Sequence, residues 1–218
     1  MTSRRSDTAP QRASPRLYLV TPKVADAAGF ARALDAVLPL ADIAAVLLRF
    51  EGGGERELVK RARTIAPAVQ ARDVALLLDG HADLVARAGA DGAHLTGIDA
   101  LRAAIATLQP ERIAGAGGLR TRHDAMLAGE ANADYVMFGE PDAAGRRPAF
   151  PAVLERIAWW AEVFEPPCVG YAAAPGEVAP LARAGADFVA LGDWIWTAGP
   201  AAAIAAAARE LAAGEPVT

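Results

Sequence analysis

The sequence predicts a single (β/α)8 TIM barrel, on three observations. Short β-type runs alternate with alanine-rich helical stretches, eight times over. The β-type runs are mostly continuous apolar segments, as expected for parallel strands covered on both faces. A short motif of the form Ala-x-Ala-Asp recurs at 88–91, 131–134 and 184–187, each time after a helix and before a strand.

In chain order, RLYLVT (16–21) is the first predicted strand, followed by a helix with apolar residues at Phe30, Ala31, Leu34, Val37 and Leu38. IAAVLLRF (43–50) is the second, and its helix carries Leu58, Ala62, Ile65 and Val69 on one face. VALLLD (74–79) leads to a helix over 81–88, and GAHLTG (92–97) to one over 100–108. RIAGAG (112–117) precedes a fifth helix that contains His123. YVMFGE (135–140) is followed by the longest loop, PDAAGRRPAFP (141–151), and a sixth helix carrying Trp159 and Trp160. CVGYAA (168–173) and FVALGD (188–193) complete the eight. In the repeated motif, Gly89, Asn132 and Gly185 suit the left-handed position that ends a helix, which makes the following aspartates structural.

No composition shift divides the chain, so the expected organisation is a disordered N-terminal tail at 1–15, one barrel domain at 16–213 and a C-terminal tail at 214–218. An organelle transit peptide is the other reading of the polar, arginine-containing start. Hydrophobic residues make up 53% of the chain, enough for a sizeable core, and the net charge of −4 without a long basic block argues against nucleic acid. No apolar run approaches the ~18 residues that span a membrane. One cysteine, Cys168, excludes an internal disulfide and suits a reducing, cytoplasmic compartment. Trp159 and Trp160 are read as core packing for at least one of them, with a homodimer interface as the other use.

Barrel chemistry gathers at the C-terminal strand ends, with phosphate held after strands 7 and 8. Arg49 ends strand 2, Asp79 ends strand 3, Asp99 follows strand 4 and Gly117 closes strand 5. Arg146 and Arg147 lie in the loop after strand 6, and Gly192-Asp193 ends strand 8 beside Trp194 and Trp196. Asp79 and Asp99 suit a hard cation such as Mg2+, which takes one or two carboxylates and leaves its other positions to water and phosphate. Capping of the following helix is the competing use of each. Arg49, Arg146 and Arg147 suit bidentate contact with phosphate. The three histidines are too dispersed for a metal cluster, and His94 reads as packed inside the barrel.

The stretch ADGAHLTGID (90–99) resembles the ADG-[VI]-HLGQ-x-D segment of the thiamine phosphate synthase family, which includes a thiazole tautomerase branch. RLYLVT (16–21), LLRFE (47–51), NADYVMFG (132–139) and RAGADFVA (183–190) are similar to further segments of it, in order. The resemblance implies a transferase that joins hydroxymethylpyrimidine pyrophosphate to a thiazole phosphate with magnesium, through departure of pyrophosphate and capture of a pyrimidine cation. It assigns catalysis to Arg49, phosphate contacts to Gly117, Arg146, Arg147, Gly192 and Asp193, and the metal to Asp79 and Asp99.

Several family positions differ. The family's Gln-x-Arg-x-Lys falls on Leu47 to Glu51, so only the arginine is shared and the lysine is replaced by an acid. Its Asn-Asp falls on Asp79-Gly80, and a serine after strand 5 falls on Gly117. Its Thr-x-Thr-Lys loop falls on Ala144 to Arg147, its glycine-rich turn on Tyr171 to Ala174, and the serine after strand 8 on Asp193. The tautomerase histidine falls on Leu119. Two alternatives therefore stand beside the transferase: a barrel whose small-molecule ligand at the top has lost its phosphates, and a non-catalytic binding or scaffold protein.

Overall fold

A computed structural model describes residues 14–197 and 199–214. The expected tails lie outside these residues except at 14, 15 and 214. Eight parallel strands close in sequence order: β1 (Arg16–Val24), β2 (Ile43–Phe50), β3 (Ala75–Asp79), β4 (Gly92–Thr96), β5 (Ile113–Gly117), β6 (Tyr135–Phe138), β7 (Cys168–Ala172) and β8 (Phe188–Leu191). The last strand pairs with the first, from Arg16 opposite Phe188 to Leu19 opposite Leu191. The expected barrel is the observed one.

Helices α1 (Ala27–Val37), α2 (Glu55–Gln70), α3 (Val85–Ala88), α4 (Ile98–Leu108), α5 (Arg122–Glu130), α6 (Phe150–Val163) and α7 (Val178–Arg183) link the strands, and α8 (Trp194–Thr197) and α9 (Pro200–Ala213) follow β8. Among the described residues no helix is long and apolar enough to cross a membrane.

The strands end earlier than the sequence suggests wherever a glycine turns the chain. Gly97 and Gly139 have φ of 88° and 95°, so β4 stops at Thr96 and β6 at Phe138. Glu140 is thereby released from the sheet and free to turn toward the barrel mouth. The third helix is shorter than the expected 81–88, because a 3-10 turn at Ala82–Leu84 precedes α3.

Alternation along the strands builds two apolar layers. Leu17, Leu19, Val46, Leu48, Leu76 and Leu78 face the helices, in a cluster with Leu34, Ile65 and Trp160. Tyr18, Val20, Leu47, Leu77, Tyr135, Met137 and Tyr171 face the barrel axis. Trp160 is fully buried, stacks on Phe164 at 4.2 Å between centroids and donates to Pro166 O at 2.7 Å. Trp159 is only partly buried, with the Arg122 guanidinium 4.9 Å above its ring. The inner layer contains many small residues, and a cavity of about 170 Å3 remains at the N-terminal end, between Ala45, Ala75, Leu77 and Phe188 and below Tyr18 and Tyr135.

The repeated aspartates fasten the barrel from that same end. Asp91 accepts from Leu76 N at 2.7 Å while its own N donates to Leu76 O at 2.9 Å. Asp134 repeats this with Ala114 (2.7 and 2.9 Å), and Asp187 with Cys168 (2.8 and 3.0 Å). Each motif thus clips an even-numbered strand to the odd-numbered strand before it.

Candidate active site at the C-terminal barrel mouth

Arg49 reaches the mouth from the end of β2. Its backbone N donates to Thr21 Oγ1 at 3.0 Å, its Nε to Thr21 O at 2.5 Å, and its Nη2 pairs with the Asp193 carboxylate. Thr21 is fully buried, so it fixes the arginine's direction from beneath. Asp193 is turned toward the barrel and neutralises this cation, a pairing across 144 residues that no local signal announces.

The other two candidate arginines are also paired. Arg147 donates through Nη1 to both Glu177 carboxylate oxygens at 2.9 Å and through Nε to Gly139 O at 3.1 Å. Glu177 in turn accepts from Ala173 N at 2.8 Å, so this pair ties the loop after β6 to the end of β7. Its side chains are only 21% and 17% exposed, which distinguishes it from an ordinary surface ion pair. Arg146 is 80% exposed and grips Asp142 of its own loop through Nε (3.1 Å) and Nη2 (2.9 Å).

Tyr171 covers the turn after β8. A Cβ at Gly192 would overlap its phenol oxygen, so only a glycine allows the ring to lie there. Burial and the Asp193 carboxylate push the Tyr171 phenol above its usual pKa, with Arg49, Arg147 and the Asp193 backbone N–H acting in the opposite sense. Trp194 and Trp196, the neighbours of Asp193, spend their indole N–H groups on Ala172 O (3.0 Å) and Val20 O (2.7 Å). They pin α8 to the strand ends.

A polar column runs up the barrel axis. Tyr18 and Tyr135 share a hydrogen bond of 3.0 Å between hydroxyls, and Tyr135 Oη lies 2.9 Å from His94 Nδ1. Gly115 makes room for it, since a Cβ there would overlap the Tyr135 ring. Burial lowers the His94 pKa to about 4, against the opposing charge of Asp79, so the ring is neutral near pH 7. The expectation of a barrel-packed His94 is met. Its second nitrogen reaches the mouth, where Glu140 also arrives, a meeting that no local pattern announces.

Glu140 Oε1 accepts from Gly118 N. Burial raises the Glu140 pKa, aided by Asp79 and opposed by backbone N–H groups and Arg156. Asp79 ends β3 opposite His94, and among the described residues its carboxylate has no hydrogen bond or ion pair. Asp99 is exposed in the first turn of α4. Neither aspartate caps a helix: Gly97 precedes α4, and His81 precedes the turn after β3. Among the described residues no three His, Cys, Asp or Glu side chains form a group that could hold a metal ion.

A closed barrel of eight parallel strands, with Arg49, Asp79, Glu140 and Asp193 near its C-terminal strand ends, defines the class of (β/α)8 barrels. Residues 17–195 match the sequence profile of the family described as thiamine monophosphate synthase. The chain is 42% identical to a thiamine-phosphate synthase of Rhodospirillum centenum over 195 residues, 87% of this chain and 94% of the relative. It is 36% identical to one of Hyphomonas neptunium, over 92% of this chain and 96% of that one. The chain belongs to the thiamine monophosphate synthase family. Its fold is that of a thiamine phosphate pyrophosphorylase of Pyrococcus furiosus, with a TM-score of 0.75 over 93% of this chain and 98% of that one at 19% identity. A 3-hexulose-6-phosphate synthase of Salmonella typhimurium shares it at a TM-score of 0.69, with 17% identity over 91% of this chain and 100% of that one.

Proposed function

We propose that this chain is a cytoplasmic transferase of thiamine biosynthesis that joins a hydroxymethylpyrimidine pyrophosphate to a thiazole phosphate at its barrel mouth. The observation that carries this reading is the end-to-end similarity to relatives named thiamine-phosphate synthase. Two features of the mouth support it. Arg49 stands at the end of β2 on a buried Thr21 support, and Asp79 offers a carboxylate with no hydrogen bond or ion pair among the described residues.

The donor chemistry suits magnesium: Asp79 and Asp99 would hold the ion, which would offset pyrophosphate charge. The chain's own task is charge neutralisation and orientation, because departure of pyrophosphate needs no protein nucleophile. Arg49 would exchange Asp193 for a pyrophosphate oxygen, and Tyr171 would close the mouth over the strand 8 turn. The buried inner layer beneath keeps water from below the reacting ring.

A second reading is a ring ligand without phosphates, and a specific observation favours it. Arg49, Arg146 and Arg147 each already face an acid, and Tyr171 lies over the turn that would receive phosphate. Purified protein given the two precursors and magnesium decides between them. The transferase reading expects stoichiometric pyrophosphate release and thiamine phosphate. Absence of turnover, with thermal stabilisation by the unphosphorylated rings, would establish the second reading instead. Neither turnover nor stabilisation would leave a non-catalytic scaffold.

A further inference from the structure

Two side chains, one from β4 and one from the turn after β6, converge above Gly117. A Cβ at that position would overlap both His94 Nε2 and Glu140 Oε1. Among the described residues no hydrogen bond joins these two atoms, and Nε2 has no protein partner, whereas Nδ1 is committed to Tyr135. His94 is only 3% exposed. Every fully enclosed side-chain N or O among the described residues has a partner, so the unbonded Nε2 opens onto the mouth.

The chemistry of the pair defines what it can hold. Glu140 accepts hydrogen bonds when ionised. His94 is neutral, and its tautomer follows the hydroxyl chain below it: Tyr18 and Tyr135 can donate upward to Nδ1 or accept downward from it. Nε2 therefore presents either a lone pair or an N–H. A hydroxyl that accepts from Nε2–H and donates to Glu140, or a ring amino group that donates one proton to the Nε2 lone pair and one to Glu140, satisfies the two atoms at once. An ionised phosphate oxygen offers no proton to Glu140 and brings like charge toward Glu140 and Asp79.

We propose that His94 and Glu140, above Gly117, form a specificity site that reads one uncharged hydroxyl or amino substituent on a ring ligand. The inference rests on the proposed function, which brings a ring to this mouth, and holds under either form of it. Glu140 is then a binding residue. Tyr135 and Tyr18 are positioning residues that act through the His94 tautomer.

Calorimetry on the full chain, with and without magnesium, tests it with five probes. These are an aminopyrimidine carrying a hydroxymethyl group, its desamino analogue, its O-methyl ether, hydroxyethylthiazole and the O-methyl ether of that thiazole. The expected result is at least a tenfold loss of affinity on removing one particular substituent, and the analogue responsible tells hydroxyl from amino. Glu140→Gln keeps an acceptor for Gly118 N–H and so preserves the fold, checked by circular dichroism, yet should weaken the parent ligand about tenfold. It should leave the analogue lacking the read group within twofold. The 15N shifts of His94 should move toward one tautomer on ligand addition, and Tyr135→Phe should abolish that movement. Equal affinity across the analogues, no binding of any probe, or an unchanged affinity in Glu140→Gln overturns the proposal. Turnover of the phosphorylated precursors alongside equal binding of the analogues would sink this inference alone. Discrimination without turnover would sink only the transferase reading.

Discussion

At the scale of single residues, Asp193 and His94 give the clearest expectations. Asp193 is 63% exposed, so its pair with Arg49 adds at most about 1 kcal/mol to stability. Toward a phosphate the same carboxylate is a strong deterrent, since two like charges 4 Å apart cost about 4 kcal/mol at an effective dielectric near 20. Asp193→Ser should therefore barely shift the unfolding midpoint but raise affinity for inorganic phosphate by tenfold or more at low salt, read by calorimetry. An unchanged affinity would place the obstruction at Tyr171. His94 has a folded pKa of about 4 against an ordinary 6.5. The unfolded chain binds its proton first, so this residue's contribution is complete above pH 6.5 and is lost as pH falls toward 4, by up to about 3 kcal/mol. Glu140, whose pKa is raised, acts with the opposite sign over its own range. A His94→Gln variant should accordingly show a shallower loss of stability between pH 6.5 and pH 4.5 than the parent in urea titrations. Parallel curves would refute the assignment.

At the scale of elements, the aspartate clips separate what was legible from what was not. Ala-x-Ala-Asp is a local signal: its glycine or asparagine ends a helix, and its aspartate bonds the strand alongside. Such short-range logic made all eight strands and their polarity readable. Asp134→Ala should leave Ala114 N without its 2.7 Å acceptor and cost about 1–3 kcal/mol, measurable by chemical denaturation. Asp134→Asn should recover part of that loss through its remaining carbonyl. The mouth was less legible because its contacts join distant elements. Arg147 carries the charge expected of a phosphate ligand, but Glu177, on a 3-10 turn after β7, holds it through two hydrogen bonds. Gly117, His94 and Glu140 come from β5, β4 and the turn after β6, and the pairing of these neighbouring strands sets them face to face. A hint did exist in Glu140, an acid placed directly after a glycine at a strand end.

At the scale of the whole molecule, the barrel divides its labour between two ends. The Arg49–Asp193 and Arg147–Glu177 pairs and the His94–Glu140 convergence occupy the C-terminal mouth, while the aspartate clips, the Arg16–Asp42 pair and the cavity between Ala45, Ala75 and Phe188 occupy the other. Barrels commonly reserve that second end for stability. The cavity gives this division a consequence for engineering. Apolar side chains that border this partly open space forgo contacts on one side, so the quiet end holds stability that the chain has not used. Ala45→Val, which fills part of the cavity, should raise the unfolding midpoint in chemical denaturation and leave ligand affinity at the mouth unchanged.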